Sequence, residues 1–175
     1  AIEPYPRGYS ENWTMEDGRS VTLRPIRPED EPREFELFES FSDETWRQRF
    51  FGPRYEVTHE DMIQYTNIDY RREMAIVGIL EENGEEKMIG VGRLVIGPTK
   101  NRGEYAVVVG DPWQGLGLGE KITDSVIGIA EDKRLDSILI KVASDAEPML
   151  NLCEKMGFRE KEVNEDTIKM ELNLD

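Results

Sequence analysis

The stretch EYAVVVGDPWQGLGLG, Glu104–Gly119, joins an apolar run to a glycine-rich loop. Its β-branched residues Val107–Val109 favour a buried strand. From Gly115 to Lys133 apolar residues recur at helical spacing. A helix N-terminus presents unpaired N–H groups and the positive end of the helix dipole, and glycine lets an anion approach the backbone closely. The stretch therefore predicts a phosphate-binding loop where a strand meets a helix.

The spacing of the glycines indicates which phosphate ligand is bound. The loop has no Gly-Lys-Ser/Thr, and Gly115, Gly117 and Gly119 lack the two-residue gap of the dinucleotide fingerprint. The pattern [Gln/Arg]-x-x-Gly-x-[Gly/Ala] after a valine-rich strand does fit, with Gln114, Gly117 and Gly119 at its fixed positions. In this pattern the chain resembles the GNAT acetyltransferases. The alternative is a glycine-rich helix start that binds nothing.

Other segments extend the resemblance over nearly the whole chain. Met149–Phe158 resembles the late helix of the family, which ends in Gly-Phe. The segments Arg24–Pro32 (RPIRPEDEP) and Arg47–Phe51 (RQRFF) resemble one branch, the protein lysine acetyltransferases that control acyl-CoA synthetases. Ala1–Pro6 (AIEPYP) resembles the segment that precedes this domain in longer chains, which predicts a C-terminal domain of a longer polypeptide.

The resemblance implies acetyl-CoA as cofactor, CoA as product and no metal. The pantetheine arm is expected to pair with a strand edge and the pyrophosphate to bind the loop. The cofactor-binding residues implied are Val107, Val108, Val109, Gln114, Gly115, Leu116, Gly117, Leu118, Gly119 and Glu120.

Glu104 stands where the resembled branch has its general base, which deprotonates the acceptor amine before direct attack. We expect it near a partly buried cleft, where desolvation would raise its pKa and make it a better proton acceptor. The alternative is a solvated carboxylate at a strand start. A backbone N–H near Val107 is expected to polarise the thioester carbonyl.

Two positions depart from the family pattern. Cys153 stands where many relatives have a tyrosine that protonates the leaving thiolate, and we expect it to be a small core residue. The thiolate would then take its proton from water. Ala146 stands where many relatives have an asparagine that contacts the cofactor.

Periodicity predicts an α/β (α+β) chain with a mixed sheet. The predicted strands are Val21–Ile26, Met74–Leu80, Met88–Ile96, Glu104–Val109 and Ser137–Val142. A final pair of strands is predicted, the first beginning at Phe158 and the second covering Thr167–Leu172. The predicted helices are Glu31–Phe41 with Phe35, Phe38 and Phe41 on one face, Asp43–Phe51, one after Thr58, Gly115–Lys133 and Met149–Met156. Asn83-Gly84 predicts a tight hairpin.

The resemblance implies that these elements form a GNAT fold. Its mostly antiparallel sheet would have about six to seven strands, helices on both faces and a splayed parallel pair. Residues 1–15 are predicted to be a linker or N-terminal arm, and residues 16–175 the acetyltransferase domain.

Composition narrows the partners. The 175 residues carry a net charge of −15, which disfavours nucleic acid and anionic membranes and favours basic protein surfaces. The single cysteine, Cys153, excludes an internal disulfide and CxxC metal sites, and fits a reducing cytoplasm. We expect an enzyme that acetylates a protein lysine, with an acyl-CoA synthetase as partner. The alternatives are a small-molecule amine acetyltransferase and a non-catalytic acyl-CoA-sensing module.

Overall fold

The structure, a computed structural model, describes residues 4–99 and 101–174. Its strands are β1 Glu11–Thr14, β2 Ser20–Pro25, β3 Glu73–Glu82, β4 Glu85–Ile96, β5 Arg102–Val109, β6 Ser137–Ala143, β7 Arg159–Val163 and β8 Thr167–Asn173. Its helices are α1 Glu31–Ser40, α2 Asp43–Phe50, α3 His59–Thr66, α4 Leu118–Asp132 and α5 Glu147–Lys155. Among the described residues no helix is long and apolar enough to cross a membrane.

The strands form one mixed sheet in the order β1-β2-β3-β4-β5-β6-β8-β7. Over the described residues, β5 and β6 are the parallel pair and every other pairing is antiparallel. The predicted α/β GNAT fold with its mixed sheet is confirmed. The hairpin is confirmed as well, because Asn83 and Gly84 both have positive φ, 54° and 80°, between β3 and β4.

The eighth strand, β1, lies inside the predicted N-terminal linker. It pairs with β2 from Glu11↔Leu23 to Thr14↔Ser20. The sequence hides this strand because most of its residues are exposed, and an edge strand without a buried face shows no apolar alternation. The segment before it also contacts the domain, since Tyr9 donates from its hydroxyl to Asp132 at 2.9 Å. Residues 11–14 therefore belong to the sheet, while the predicted domain boundary at residue 16 stays a prediction.

The sheet is covered on both faces, which confirms the predicted layers. One core lies under α4 and α5 and includes Ile76, Ile122 and Phe158. The other lies under α1, α2 and α3 and includes Val77 and Trp46. Strand β3 supplies both cores in alternation, and this explains its continuous apolar sequence.

Helix α4 lies close against the sheet. A Cβ at Gly92 would stand 2.5 Å from Ile122 and 2.8 Å from the Tyr105 hydroxyl. Glycine is therefore required on β4 where the helix crosses it. This close packing fixes the helix whose N-terminus faces the site.

Helix α1 buries a different face from the predicted one. Phe35 is 39% exposed, while Glu34 is fully buried beside Leu37 and Phe38. The buried positions 34, 37, 38 and 41 follow the spacing of one helical face, whereas steps of three residues drift away from it. The core on this side thus contains a carboxylate in place of the phenyl ring that we predicted.

Candidate active site

Strands β5 and β6 separate beyond a short parallel stretch. Their pairing runs from Arg102↔Ser137 to Tyr105↔Ile140 and then stops. The opening between them is a cleft of about 550 Å³. Its walls include Ala106–Val109 from β5, Ile140–Ala143 from β6, Thr45 and Arg49 from α2, and Met149 and Leu152 from α5. The predicted splayed parallel pair is confirmed.

The β5 edge that faces the cleft has backbone groups that no neighbouring strand pairs. Gly110 donates its N–H to Ile89 on the β4 side at 2.8 Å. Because backbone groups alternate between the two edges of a strand, Val108 also bonds towards β4, while Val107 and Val109 direct theirs into the cleft. Two of the three predicted valines can therefore pair with an extended ligand through the main chain, and Val108 contributes its cleft-lining side chain.

The glycine-rich loop at the other end of the cleft has backbone N–H groups without hydrogen-bond acceptors. Within the described residues, none of the backbone N–H groups from Gly115 to Glu120 donates to a protein acceptor. Gly115 and Gly117 have φ of 78° and 90°, and Gly117 is the N-cap of α4. Consecutive free amides at a helix start form an anion cradle. Helix α4 itself begins at Leu118, three residues later than we predicted, because both glycines are left-handed.

The side chains of this loop do not all face the cleft. Leu118 is buried in the α4 core, and Leu116 packs against the same core. Glu120 lines the cleft and its carboxylate pairs with Lys155 at 3.0 Å. Leu116 and Leu118 can thus contact a cofactor through the backbone alone. Cofactor contact by these residues stays a prediction.

Gln114 has a structural contact that the sequence did not show. Its side-chain amide donates to Thr45 at 3.1 Å and to the Val109 carbonyl at 3.0 Å. Asp111 joins the same elements, accepting from the Ser42 and Thr45 hydroxyls at 2.7 and 2.9 Å. Burial opposes it, but these hydrogen bonds lower the pKa of Asp111. The N-terminus of α2 is thereby joined by hydrogen bonds to the loop Gln114–Gly119, which we predict to bind phosphate.

Glu104 differs from its predicted environment. Glu104 is exposed, so the expected desolvation is wrong and the alternative, a solvated carboxylate at a strand start, agrees with the structure. It lies opposite Leu139 within the paired part of β5, two residues before Ala106, which lines the cleft. Successive side chains alternate between faces, so Glu104 and Ala106 share the α1–α3 face. The carboxylate therefore stands beyond the end of the cleft, facing solvent.

The two departures from the family pattern have structural explanations. Cys153 is buried in the α4 core, which confirms the prediction that it is a core residue. Burial, and then the charge of Glu154, raise the pKa of the Cys153 thiol to about 12. Ala146 is 2% exposed and lines the cleft next to the start of α5. Neither residue supplies a polar group to the cleft.

A buried charge cluster lies under α1. Arg93, opposite Ala106 on β4, contacts Glu34 at 3.3 Å and Glu73 at 2.6 Å. The other carboxylate oxygen of Glu34 has no hydrogen-bond partner. Burial raises the pKa of Glu34 to about 7, against the opposing charges of Arg93 and Arg49. Sequence reasoning missed this cluster because Glu34 reads as one more charge on an exposed helix face.

The residues present fit an acyl-CoA. Free amides at the start of α4 suit a pyrophosphate, and the unpaired β5 edge suits an extended amide-containing arm. The fold and the cleft thus define an acyltransferase that uses an acyl-CoA donor. A family model described as an acetyltransferase (GNAT) domain matches residues 20–159. The chain belongs to the GNAT acetyltransferase family and is an acetyl-CoA-dependent enzyme.

Relatives and solved structures agree with this assignment. An acetyltransferase of Pseudomonas aeruginosa is 31% identical over 145 residues, which cover 83% of this chain and 78% of that protein. The GNAT domain of S. lividans PAT superposes with a TM-score of 0.87 at 22% identity, covering 98% of this chain and 100% of that chain. The structure of yncA from Salmonella typhimurium with its cofactor acetyl-CoA superposes with a TM-score of 0.71 at 20% identity, covering 89% and 94%.

Proposed function

We propose that the protein transfers an acetyl group from acetyl-CoA to a lysine amine of another protein, an acyl-CoA synthetase. The observation that carries this proposal is the exposed acceptor end of the cleft. Glu104 faces solvent there, and Val95, opposite it on β4, is 43% exposed. A base in this position is accessible to an amine delivered by the surface of another protein. The likeness to the GNAT domain of S. lividans PAT supports the same substrate class, and a cytoplasmic location is part of the proposal.

A second groove adjoins the cleft. It has a volume of about 730 Å³ and shares Phe51 and Ala143 with the cleft. Its lining includes three carboxylates, of which Asp43 and Asp145 pair with Arg54 and Arg47 of the same groove, while Asp166 has no such pair there. The acidic excess that attracts an ammonium group and a basic protein surface is that of the whole chain, with its net charge of −15. This supports a lysine as acceptor.

The chain's own groups have separate roles in the proposed mechanism. The amides from Gly115 to Glu120 bind the pyrophosphate, and Val107 and Val109 bind the extended arm through the main chain. Acetyl-CoA supplies the thioester that is attacked. The N–H of Val107 donates to the carbonyl oxygen as negative charge develops. The new bond joins the amine nitrogen to the acetyl carbon, and the bond from that carbon to sulfur breaks.

Proton transfer takes place at the exposed end. Glu104 accepts one proton of the acceptor ammonium, directly or through one water, and the second proton that the nitrogen loses as the amide forms passes to water. The leaving thiolate takes its proton from water, because Cys153 is buried in the core with a raised pKa. Tyr105 is also buried, and it bonds Thr123 at 2.9 Å on the opposite face. Among the described residues of β5 and α5, neither the thiol nor the phenol reaches the cleft.

The test of the substrate class uses purified acyl-CoA synthetase and labelled acetyl-CoA, with lysine acetylation read by mass spectrometry. We expect time-dependent acetylation of a lysine of the synthetase. A parallel panel of polyamines and other small amines is the comparison. Transfer to small amines alone would reject the protein target. Binding of acetyl-CoA by calorimetry without transfer to any amine would identify a sensing module.

The base assignment is tested by Glu104→Gln. Removing the proton acceptor should lower kcat/KM by roughly 10²- to 10⁴-fold while acetyl-CoA affinity is kept. The control is Glu36→Gln, an exposed carboxylate on α1 with no hydrogen bond or ion pair in the described part of the chain. Full activity of the Glu104 variant would eliminate Glu104 as the base.

A further inference from the structure

Arg49 is a half-buried cation of α2 that lines the cleft. Its guanidinium lies 4.8 Å from the ring centroid of Phe50. Across the described residues it has neither a hydrogen bond nor an ion pair. Burial lowers the pKa of Arg49; the charge of Glu34 opposes this shift, but Glu34 makes neither a hydrogen bond nor an ion pair with Arg49. The five N–H donors of this guanidinium therefore have no hydrogen-bond partner among the described residues.

Lys141 is a second cation at the same level of the cleft. It is the first β6 residue beyond the last paired position, Tyr105↔Ile140, so it stands level with Ala106. Ile140 packs into the α4 core, and alternation therefore places the Lys141 side chain on the α1–α3 face. Its ammonium lies 4.3 Å from the ring centroid of Phe51, and it has no ion pair with any described residue.

The cofactor phosphates do not account for these two cations. Along β5 the distance from Val109, at the phosphate-binding loop, to Ala106 is about 10 Å. Along α2, Thr45 bonds Gln114 of that loop, and Arg49 lies one helical turn further, about 6 Å away. Both cations thus lie at the acceptor end, near Glu104. In a chain of net charge −15, unpaired cations at this place indicate an anionic group on the acceptor.

We propose that Arg49 and Lys141 form a carboxylate-binding subsite, so that the preferred acceptor has a carboxylate close to its reactive amine. In a protein target, this is a lysine with an aspartate or glutamate beside it; in this form the inference rests on the proposed function. A bidentate guanidinium–carboxylate pair fixes the acceptor relative to the thioester. Polyamines are disfavoured by the same two charges, since like charges repel.

The first test compares two small amines that differ only in the anion, ε-aminocaproate and its neutral amide. We expect the wild-type enzyme to favour the carboxylate roughly tenfold or more in kcat/KM, as a charged hydrogen-bonded pair should. Equal rates for the two amines would overturn the subsite.

The second test uses variants of both cations. Arg49→Gln should abolish the preference for the carboxylate, Arg49→Lys should keep part of it, and Lys141→Gln should reduce it. Arg47→Gln is the matched control, because Arg47 lies on the same helix and pairs with Glu44 and Asp145. Acetyl-CoA affinity should stay unchanged. If Arg49→Gln fails to fold, Lys141→Gln decides; a full preference in the folded variants rejects the proposal.

The third test separates this inference from the protein-lysine proposal. It uses peptides with one lysine flanked by Asp or by the isosteric Asn. Faster transfer to the Asp peptide supports both. Equal transfer to the two peptides rejects the subsite and leaves the protein target. No transfer to any peptide or protein, with the carboxylate preference kept among small amines, rejects the protein target and leaves the subsite.

Discussion

Asp111 shows how one side chain can position a binding loop. It follows β5 and accepts hydrogen bonds from the Ser42 backbone N–H at 3.0 Å and from the Ser42 and Thr45 hydroxyls. Thr45 in turn accepts from Gln114. The start of α2 and the start of the phosphate-binding loop are therefore one hydrogen-bonded unit. Motion of this loop relative to the acceptor end is restricted because α2 spans both.

These hydrogen bonds, which we call the Asp111 clamp, predict the behaviour of Asp111→Ala. The variant leaves the Ser42 and Thr45 donors without their acceptor, so the free energy of unfolding should fall by about 1–2 kcal/mol. Acetyl-CoA affinity should fall several-fold because the loop is less fixed. Denaturant unfolding and calorimetry measure the two effects. Asp43→Asn, an exposed carboxylate in the first turn of α2, is the control. Unchanged affinity in the Asp111 variant would show that the clamp is not needed for binding.

At the scale of elements, the start of α4 depends on two left-handed glycines. Gly117 has a φ of 90°, and a Cβ there would stand 2.9 Å from the Glu16 carboxylate. Gly115 has a φ of 78°, but a Cβ there would meet nothing within 4 Å. Backbone strain is thus common to both positions, whereas the exposed Glu16 carboxylate ends a flexible side chain that can move away from a Cβ at Gly117.

Alanine at these positions should separate backbone strain from helix propensity. Gly115→Ala and Gly117→Ala should each cost about 1 kcal/mol of stability or more and weaken acetyl-CoA binding. Gly128→Ala is the control, since it lies inside α4 with open space around it and should stabilise by roughly 0.5–1 kcal/mol. Thermal unfolding and calorimetry provide the readouts. Wild-type affinity in Gly117→Ala would remove the loop from the cofactor site.

The elements could be predicted from the sequence wherever the pattern is local. The apolar run of β3, the Asn83-Gly84 turn and the glycines before α4 each depend on neighbouring residues, and each is confirmed. The contacts that complete the site are long-range. Gln114 bonds Thr45 across 69 residues, and no periodicity reveals such a pair. The exposure of Glu104, which is only the alternative in the sequence analysis, also depends on a long-range feature, the point where β5 and β6 separate.

At the scale of the whole molecule, charge is distributed unevenly. The chain has a large acidic excess, yet the acceptor end of its cleft has two cations, Arg49 and Lys141, without ion-pair partners among the described residues. The second groove is lined by both signs of charge, with Asp145 paired to Arg47 and Asp166 beside them. The negative charge of the whole molecule would attract a basic protein surface. A carboxylate beside the reactive lysine would be recognised only inside the cleft. Net charge and site charge thus favour different parts of one acceptor.

The buried carboxylate of Glu34 predicts how the whole fold responds to pH. Its pKa is raised from 4.5 to about 7, so between these values the native state keeps a proton that the unfolded state has lost. The contribution of Glu34 to stability is therefore present in full below pH 4.5 and is lost as the pH rises to about 7. Relative to Glu34→Gln, the wild type should lose on the order of 3 kcal/mol over this window. Urea unfolding at pH 5 and pH 8 measures it, with Glu36→Gln as the exposed control on the same helix. A difference between wild type and Glu34→Gln that does not change with pH would show that Glu34 is ionised in the fold at both values.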